Sequence, residues 1–427
     1  MQETNGESSN IRSANGGALT AASASPLTPR PKNIVICLDG TGNQIGGSRL
    51  PTNVGKIYQM LELQLPDQQI GYYDPGVGTL PASTAHGRVG RWLSQGMQLA
   101  FGRGMRANLT QAYTWLMQHY QPTDKVYIFG FSRGAYTARA LAGMLIRPGL
   151  LRPGSDNLID YAMAEYASKR QLTPASRERI ADFADSFCWG TQHSPMSPDW
   201  SAITKKPAAN KEDIHSVPIE YMGLWDTVKA AGFTRFAGDV RWAFTDELWN
   251  AKSIRHAVSL DERRFPYKYE SIERREGVEE VWFAGVHSDI GGTFDNYDLA
   301  TIAFKWIVDG VADRLILREG HYAKTFSPQL LNPCGPIHEM GPWWKLMPHR
   351  PRVPSADALY HESVRERRGT YPDYLPFLDE PFNPHQWQDS NWKQLENAPL
   401  TLDKLNQQPN GSAKSPTTMS GSTGSRP

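Results

Sequence analysis

The sequence predicts an α/β fold: a mainly parallel sheet with helices on both faces, a helical insertion, and an irregular C-terminal extension. Two observations lead there. Short apolar, β-branched runs alternate with stretches whose apolar residues recur at helical spacing, the pattern of strands linked by crossover helices. Glycine-containing turns also follow several of the runs, as expected where a strand hands over to a helix.

Taken in order, "NIVICLDG" from Asn33 reads as the first strand and "TNVGKIYQMLELQL" from Thr52 as its helix. "QIGYYDPG" is the second strand, and a long helical segment runs through "GMQLAFGRGMRANLTQAYTWLMQHY". "KVYIFG" and "RGAYTARALAGMLI" complete a βαβαβα unit. From 151 to 216 the sheet pattern pauses, and "TPASRERIADFADSF" argues for a helical cap insertion. The sheet resumes with "VPIEYMGLWD", "SIRHAVSL" and "EEVWFAGVHSDIGG", after which "YDLATIAFKWIVDGV" is helical. Residues 32–316 therefore form the expected main α/β domain and 317–405 an extension packed on it, rich in Pro and Trp. Residues 1–31 and 406–427, rich in Ser, Gly, Ala or Thr, are expected to be a disordered leader and tail.

Composition narrows the function. With 45 Lys plus Arg against 44 Asp plus Glu, no global positive field attracts nucleic acid, which is not an expected partner. Cys37, Cys188 and Cys334 form no CxxC pair and read as core thiols of a reducing compartment. The histidines show no HExxH or other ligand spacing, so neither metal nor cofactor is expected and the chemistry must come from side chains. There is no secretory h-region and no run of about 18 apolar residues. The expected location is cytoplasmic, or exported without a cleavable signal peptide, with any membrane role peripheral.

Gly130-Phe131-Ser132-Arg133-Gly134 matches G-x-S-x-G, and its context is the one that motif requires. A strand, "KVYIF", precedes it and a small-residue helix follows. The two glycines permit close backbone approach around a strained turn, and the helix N-terminus favours developing negative charge. The alternative reading of Ser132 is a small residue in a tight turn. A serine hydroxyl needs an adjacent base, itself oriented by a third group. In the α/β-hydrolase chain order these follow as acid, then histidine, on loops after later strands. Asp226 ends "IEYMGLWD" and His287 follows "EEVWFAG", both at the strand edge where such sites are assembled. Asp289 is the rival acid, and His361 a weaker rival base; His256 reads as a buried strand histidine. The amide of Arg133 is the expected first oxyanion donor, and "LDGTGN" offers Gly40, Thr41 and Gly42 for the second.

"LDGT" also resembles part of the D-x-D-G-T signature of aspartate-nucleophile phosphatases, but Cys37 stands where the attacking aspartate belongs. "GTGNQIGG" breaks the dinucleotide spacing. Phosphoryl chemistry is thereby disfavoured.

Taken together, "CLDGTGN", "YYDPGVGT", "GFSRGAYTARALAG", "GLWDTV", "RHAVSLDERR" and "WFAGVHSDIGG" resemble the α/β-hydrolase domain typified by type VI secretion phospholipase effectors, with a weaker match at "HESVRERR". The resemblance implies a Ser-Asp-His triad falling on Ser132, Asp226 and His287, and phospholipase A-type hydrolysis of carboxylic esters. The expected partner is an ester or lipid substrate. The alternatives are an esterase of small non-lipid esters and a catalytically inactive hydrolase-fold binding protein. Trp343-Trp344 could rest at a lipid interface or simply pack on the domain. Specificity is expected to lie in the 151–216 insertion, read as a lid or as a fixed structural cap.

Overall fold

The computed structural model describes residues 31–40, 52–76, 92–167, 174–190, 216–229, 242–264, 267–339, 350–374, 387–395 and 399–407. Eight strands make one sheet: β1 Asn33–Leu38, β2 Gln69–Asp74, β3 Lys125–Phe131, β4 Ile219–Trp225, β5 Ile254–Ser259, β6 Val278–Phe283, β7 Leu359–His361 and β8 Trp387–Gln388. Their spatial order is β2-β1-β3-β4-β5-β6-β7-β8, and every neighbouring pair is parallel. A wholly parallel sheet puts all strand C-termini on one edge. Asp39, Ser132, Asp226 and His287 all follow strands at that edge. The order reverses where β1 lies between β2 and β3, the switch point at which such sheets open a crevice.

The period of two along each strand sends alternate side chains to opposite faces. Val35, Cys37, Tyr127, Phe129, Tyr221 and Trp225 pack on one side with helices α1 (Asn53–Met60) and α7 (Asp298–Asp309). Ile34, Ile36, Val126, Ile128, Met222 and Leu224 pack on the other with α2 (Trp92–His119), α3 (Arg133–Ile146) and α4 (Ile159–Ala167). This two-sided burial explains why the strands read as continuous apolar runs rather than as alternating ones. Small residues set the closeness of α3: Ala135, Ala138, Ala140 and Ala142 are all buried on the sheet.

Two features differ from the sequence expectation, the end of the first helix and the regularity of the C-terminal extension. The first helix ends at Met60, because Leu61 turns extended and bridges antiparallel to Leu317. The insertion holds α4 and α5 (Pro174–Phe187), while 191–215 lie outside the described residues. The C-terminal extension is less irregular than its Pro and Trp content suggested. After α6 (His287–Gly291), α7 and α8 (His321–Thr325), it adds β7 and β8 to the sheet, then α9 (Glu362–Thr370) and α10 (Leu402–Gln407).

Candidate active site

The chain reverses sharply between β3 and α3, and Ser132 sits at the apex with φ 59° and ψ −123°. A non-glycine residue there stores strain of about 1–3 kcal/mol, which persists only where the surroundings hold it. The two flanking glycines have separate reasons. A Cβ on Gly134 would lie 2.1 Å from the carbonyl oxygen of Leu38, so the helix start can press against the end of β1 only without a side chain. A Cβ on Gly130 would meet Ala135 Cα at 2.7 Å, blocking the return of the chain. Ser132 caps α3 by position but makes no side-chain bond to its amides. Its Oγ instead lies 2.8 Å from His287 Nε2.

The far nitrogen of that imidazole, Nδ1, is 2.5 Å from Asp226 Oδ2. Asp226 also has a left-handed backbone, φ 40°, at the end of β4. Successive amides fix this turn. Asp226 N–H donates to the carbonyl of Ala257, Thr227 N–H to His256 Nε2 at 3.1 Å, and Val228 N–H to the carbonyl of Ser132. His256 is thus a buried strand histidine with a definite task. Since its Nε2 accepts, Nδ1 carries the proton, and it faces Glu280 at 2.9 Å.

Asp226 is wholly buried, which alone would raise its carboxyl. The charge of Arg352 and the hydrogen bonds from His287 and Arg352 outweigh burial and hold it well below the usual carboxylate range. Arg352 grips it with both terminal nitrogens, Nη1 to Oδ1 at 2.5 Å and Nη2 to Oδ2 at 3.0 Å, while Ser259 N–H donates to Oδ1 at 3.0 Å. Burial lowers the His287 imidazole below its ordinary value, against the pull of Asp226. Its Nδ1 faces the aspartate and its Nε2 the serine, so a proton on Nδ1 leaves a lone pair on Nε2 toward the Ser132 hydroxyl. The ring is packed against Phe131 and Tyr267, each 4.8 Å away between ring centres. Its backbone N–H donates to Glu262 Oε2, and Glu262 closes a buried ion pair with Arg264 at 2.6 Å.

The remaining expected residues fall elsewhere. Asp289 turns away from His287: it accepts from Val286 N–H and contacts His338 Nδ1 at 2.6 Å. His361, at the end of β7, contacts Ser363, and β7 lies four strands along the sheet from β3, which leads to Ser132. The amide of Gly40, expected to face an oxyanion, donates to Asp39 Oδ1 at 2.6 Å. It is held there because Thr52 and Tyr73 hydroxyls anchor the other carboxylate oxygen at 2.5 and 2.8 Å. Thr41, Gly42, Trp343 and Trp344 lie outside the described residues. Arg352, Glu262 and Tyr267 were not singled out from the sequence. "RHAVSLDERR" contains Glu262, but nothing about "RPRVP" marks Arg352 as a partner of an aspartate more than a hundred residues earlier.

Among the described residues no group of three or more His, Cys, Asp or Glu side chains could hold a metal, and no helix is long and apolar enough to cross a membrane. A parallel sheet with a strand–serine turn–helix at its switch point defines an α/β-hydrolase-like protein. Within that class the chain belongs to the family described as "T6SS, Phospholipase effector Tle1-like, catalytic domain", which matches residues 32–310. An uncharacterized protein of Saccharomyces cerevisiae is 31% identical over 242 residues, 56% of this chain and 32% of its own length. Among solved structures, an uncharacterized protein from Pseudomonas aeruginosa aligns with a TM-score of 0.36 at 17% identity, covering 74% of this chain and 48% of that one. The Tle1 effector bound to the VgrG spike of the type 6 secretion system aligns with a TM-score of 0.33 at 18% identity, over 62% and 51% of the two chains. The chain spans about a third of the yeast relative's length and about half of each of these two solved chains.

Proposed function

We propose that the protein is a serine hydrolase of carboxylic esters, acting on the acyl esters of lipids or phospholipids. The observation that carries this reading is the unbroken line from Ser132 Oγ through His287 to Asp226, with contacts of 2.8 and 2.5 Å. His287 Nε2 takes the serine proton as Oγ attacks the ester carbonyl. The imidazolium so formed is stabilised by the ionised Asp226, which also keeps the Nδ1–H tautomer in place. The same imidazolium then returns its proton to the leaving alcohol, and an acyl-serine remains. Water, deprotonated by His287, attacks the acyl carbonyl and releases the acid. The amide of Arg133 at the start of α3 is the first oxyanion donor, reinforced by the aligned peptide dipoles of that helix. The lipid character of the acyl group rests on the family, whose description is that of a phospholipase effector.

Purified protein incubated with phospholipid vesicles and with short-chain p-nitrophenyl esters tests the reading. Release of free fatty acid by the parent and its loss in Ser132→Ala are expected. Equal hydrolysis by the two proteins would overturn it. Turnover of the short esters alone would move the substrate from lipid to small ester.

A further inference from the structure

Arg352 lies beyond the family match, which ends at residue 310, yet its guanidinium meets Asp226 at 2.5 Å, the same distance as His287 Nδ1. We propose that Arg352 is a positioning residue of the ester-hydrolysing site: it fixes the Asp226 carboxylate against His287 and sets the charge the imidazole meets, so the segment 350–354 of the C-terminal extension, a strap, is part of the active apparatus. This inference rests on the hydrolase reading given above.

The geometry is that of a clamp rather than a surface ion pair. Arg352 is 8% exposed and Asp226 fully buried. Besides its two bonds to Asp226, the guanidinium donates to the carbonyls of Ser259 at 3.1 Å and Tyr267 at 2.6 Å. The first carbonyl ends β5 and the second lies on the stretch after it, which also carries Glu262. The strap is tied to the same stretch through its backbone, with Arg350 N–H donating to the carbonyl of Arg263 at 2.6 Å. The fork is thus aimed by four acceptors, and its planar shape matches both oxygens of the carboxylate at once. A lysine can supply the charge but not the fork.

The charges around His287 close into pairs. Asp226 meets Arg352, and Glu262, whose carboxylate receives the His287 amide, meets Arg264. Tyr267 packs on the ring, Arg133 follows Ser132 on the α3 side, and Asp289 on its own helix is turned to His338. Removing the Arg352 cation leaves Asp226 as an uncompensated buried anion beside the imidazole. Two consequences follow. The carboxylate loses one of the partners that offset its burial, and the imidazole holds its proton more tightly, because a cation that opposed protonation has gone. The neutral base then appears only at higher pH.

The test is the pH dependence of kcat/KM on a short-chain p-nitrophenyl ester for the parent, Arg352→Gln and Arg352→Lys, with fluorophosphonate inactivation rates measured alongside. Arg352→Gln is expected to lower the plateau by about 10–100-fold, as expected when a catalytic group drifts from its productive geometry. Its acid limb should move up by about one pH unit, the size of shift a neighbouring charge produces. Arg352→Lys is expected to keep the acid limb of the parent while losing about 10-fold at the plateau. A folded Arg352→Gln whose acid limb stays where the parent's lies would overturn the inference, whatever its rate, since a mere brace would leave the limb unmoved. If Arg352→Gln does not fold, Arg352→Lys decides: a parental limb with a lowered plateau supports the clamp, and parental values of both overturn it. A parent that neither hydrolyses the ester nor takes up the probe overturns the hydrolase reading first, and this inference with it.

Discussion

Among the described residues a serine, a histidine and an aspartate come together at two places, and the two groups differ in how the histidine is aimed. The second comprises Ser363, His361 and Asp389, on β7 and the segments beside it. Both histidines are buried, and burial lowers both imidazoles. The difference lies in what the lone pair faces. His361 Nδ1 accepts from the backbone N–H of Ser363 at 3.2 Å and lies 2.8 Å from the same residue's Oγ, so it serves as the cap of α9. Its other nitrogen stands 3.6 Å from Asp389, an electrostatic contact rather than a hydrogen bond. His287 has the opposite arrangement, with Nδ1 against the carboxylate and Nε2 toward a serine held at positive φ. A residue trio is therefore weak ground for a site; the proposed site rests on a lone pair aimed at a hydroxyl on a strained turn at a long helix's N-terminus.

The widest separation between the two groups should appear in their histidines. His287→Ala is expected to lower ester hydrolysis by about 10⁴-fold or more, because members of such a unit do not act additively. His361→Ala should leave kcat of the folded fraction close to the parent and show its effect in thermal unfolding, through the lost helix cap. A large fall in kcat for His361→Ala would erase the distinction.

The two acids nearest His287 give the next contrast. In Asp226→Asn the amide can donate to Nδ1, reversing the tautomer that presents a lone pair to Ser132, and a loss of about 10⁴-fold in kcat is expected. Asp289→Asn should stay within about 10-fold of the parent, since Asp289 holds His338 and the Val286 amide rather than the His287 ring. Steady-state kinetics on one ester compares them directly, and equal losses would make Asp289 the functional acid.

Glycines in the two regions sharpen the comparison in stability. Gly134→Ala must push its methyl into the Leu38 carbonyl, and a cost of about 3 kcal/mol or more in chemical denaturation is expected. Gly369, in α9 next to the second group, has nothing within 4 Å of where its Cβ would stand. Gly369→Ala should stabilise by about 0.5–1 kcal/mol, through reduced freedom of the unfolded chain and better helix propensity. Destabilisation at both positions would mean that α9 is as tightly enclosed as the serine turn.

What could be read from the sequence followed from local rules. The serine turn declares itself because two glycines, an apolar strand and an alanine-rich helix must sit at fixed offsets. Asp226 and His287 could be placed at one edge because each ends a strand-like run, and a parallel sheet sends all such ends to the same side. Helical spacing in the sequence continues past Met60, whereas Leu61 is drawn away by a bridge to Leu317, remote in sequence. β7 and β8, at three and two residues, are too short to show any period. Arg352 carried no local signal, since its role exists only where the strap crosses the turn after β5. The Gly40 amide looked available because its glycine-rich turn resembles a donor loop; the anchoring of Asp39 by Thr52 and Tyr73 is a tertiary fact.

The central claim is that one serine in this chain is activated. Labelling of the intact protein with a fluorophosphonate probe, followed by peptide mapping, tests it most directly. A single modified residue, Ser132, is expected, with labelling lost in His287→Ala and kept in His361→Ala. A folded protein that takes no label, or one labelled at Ser363 instead, would contradict it.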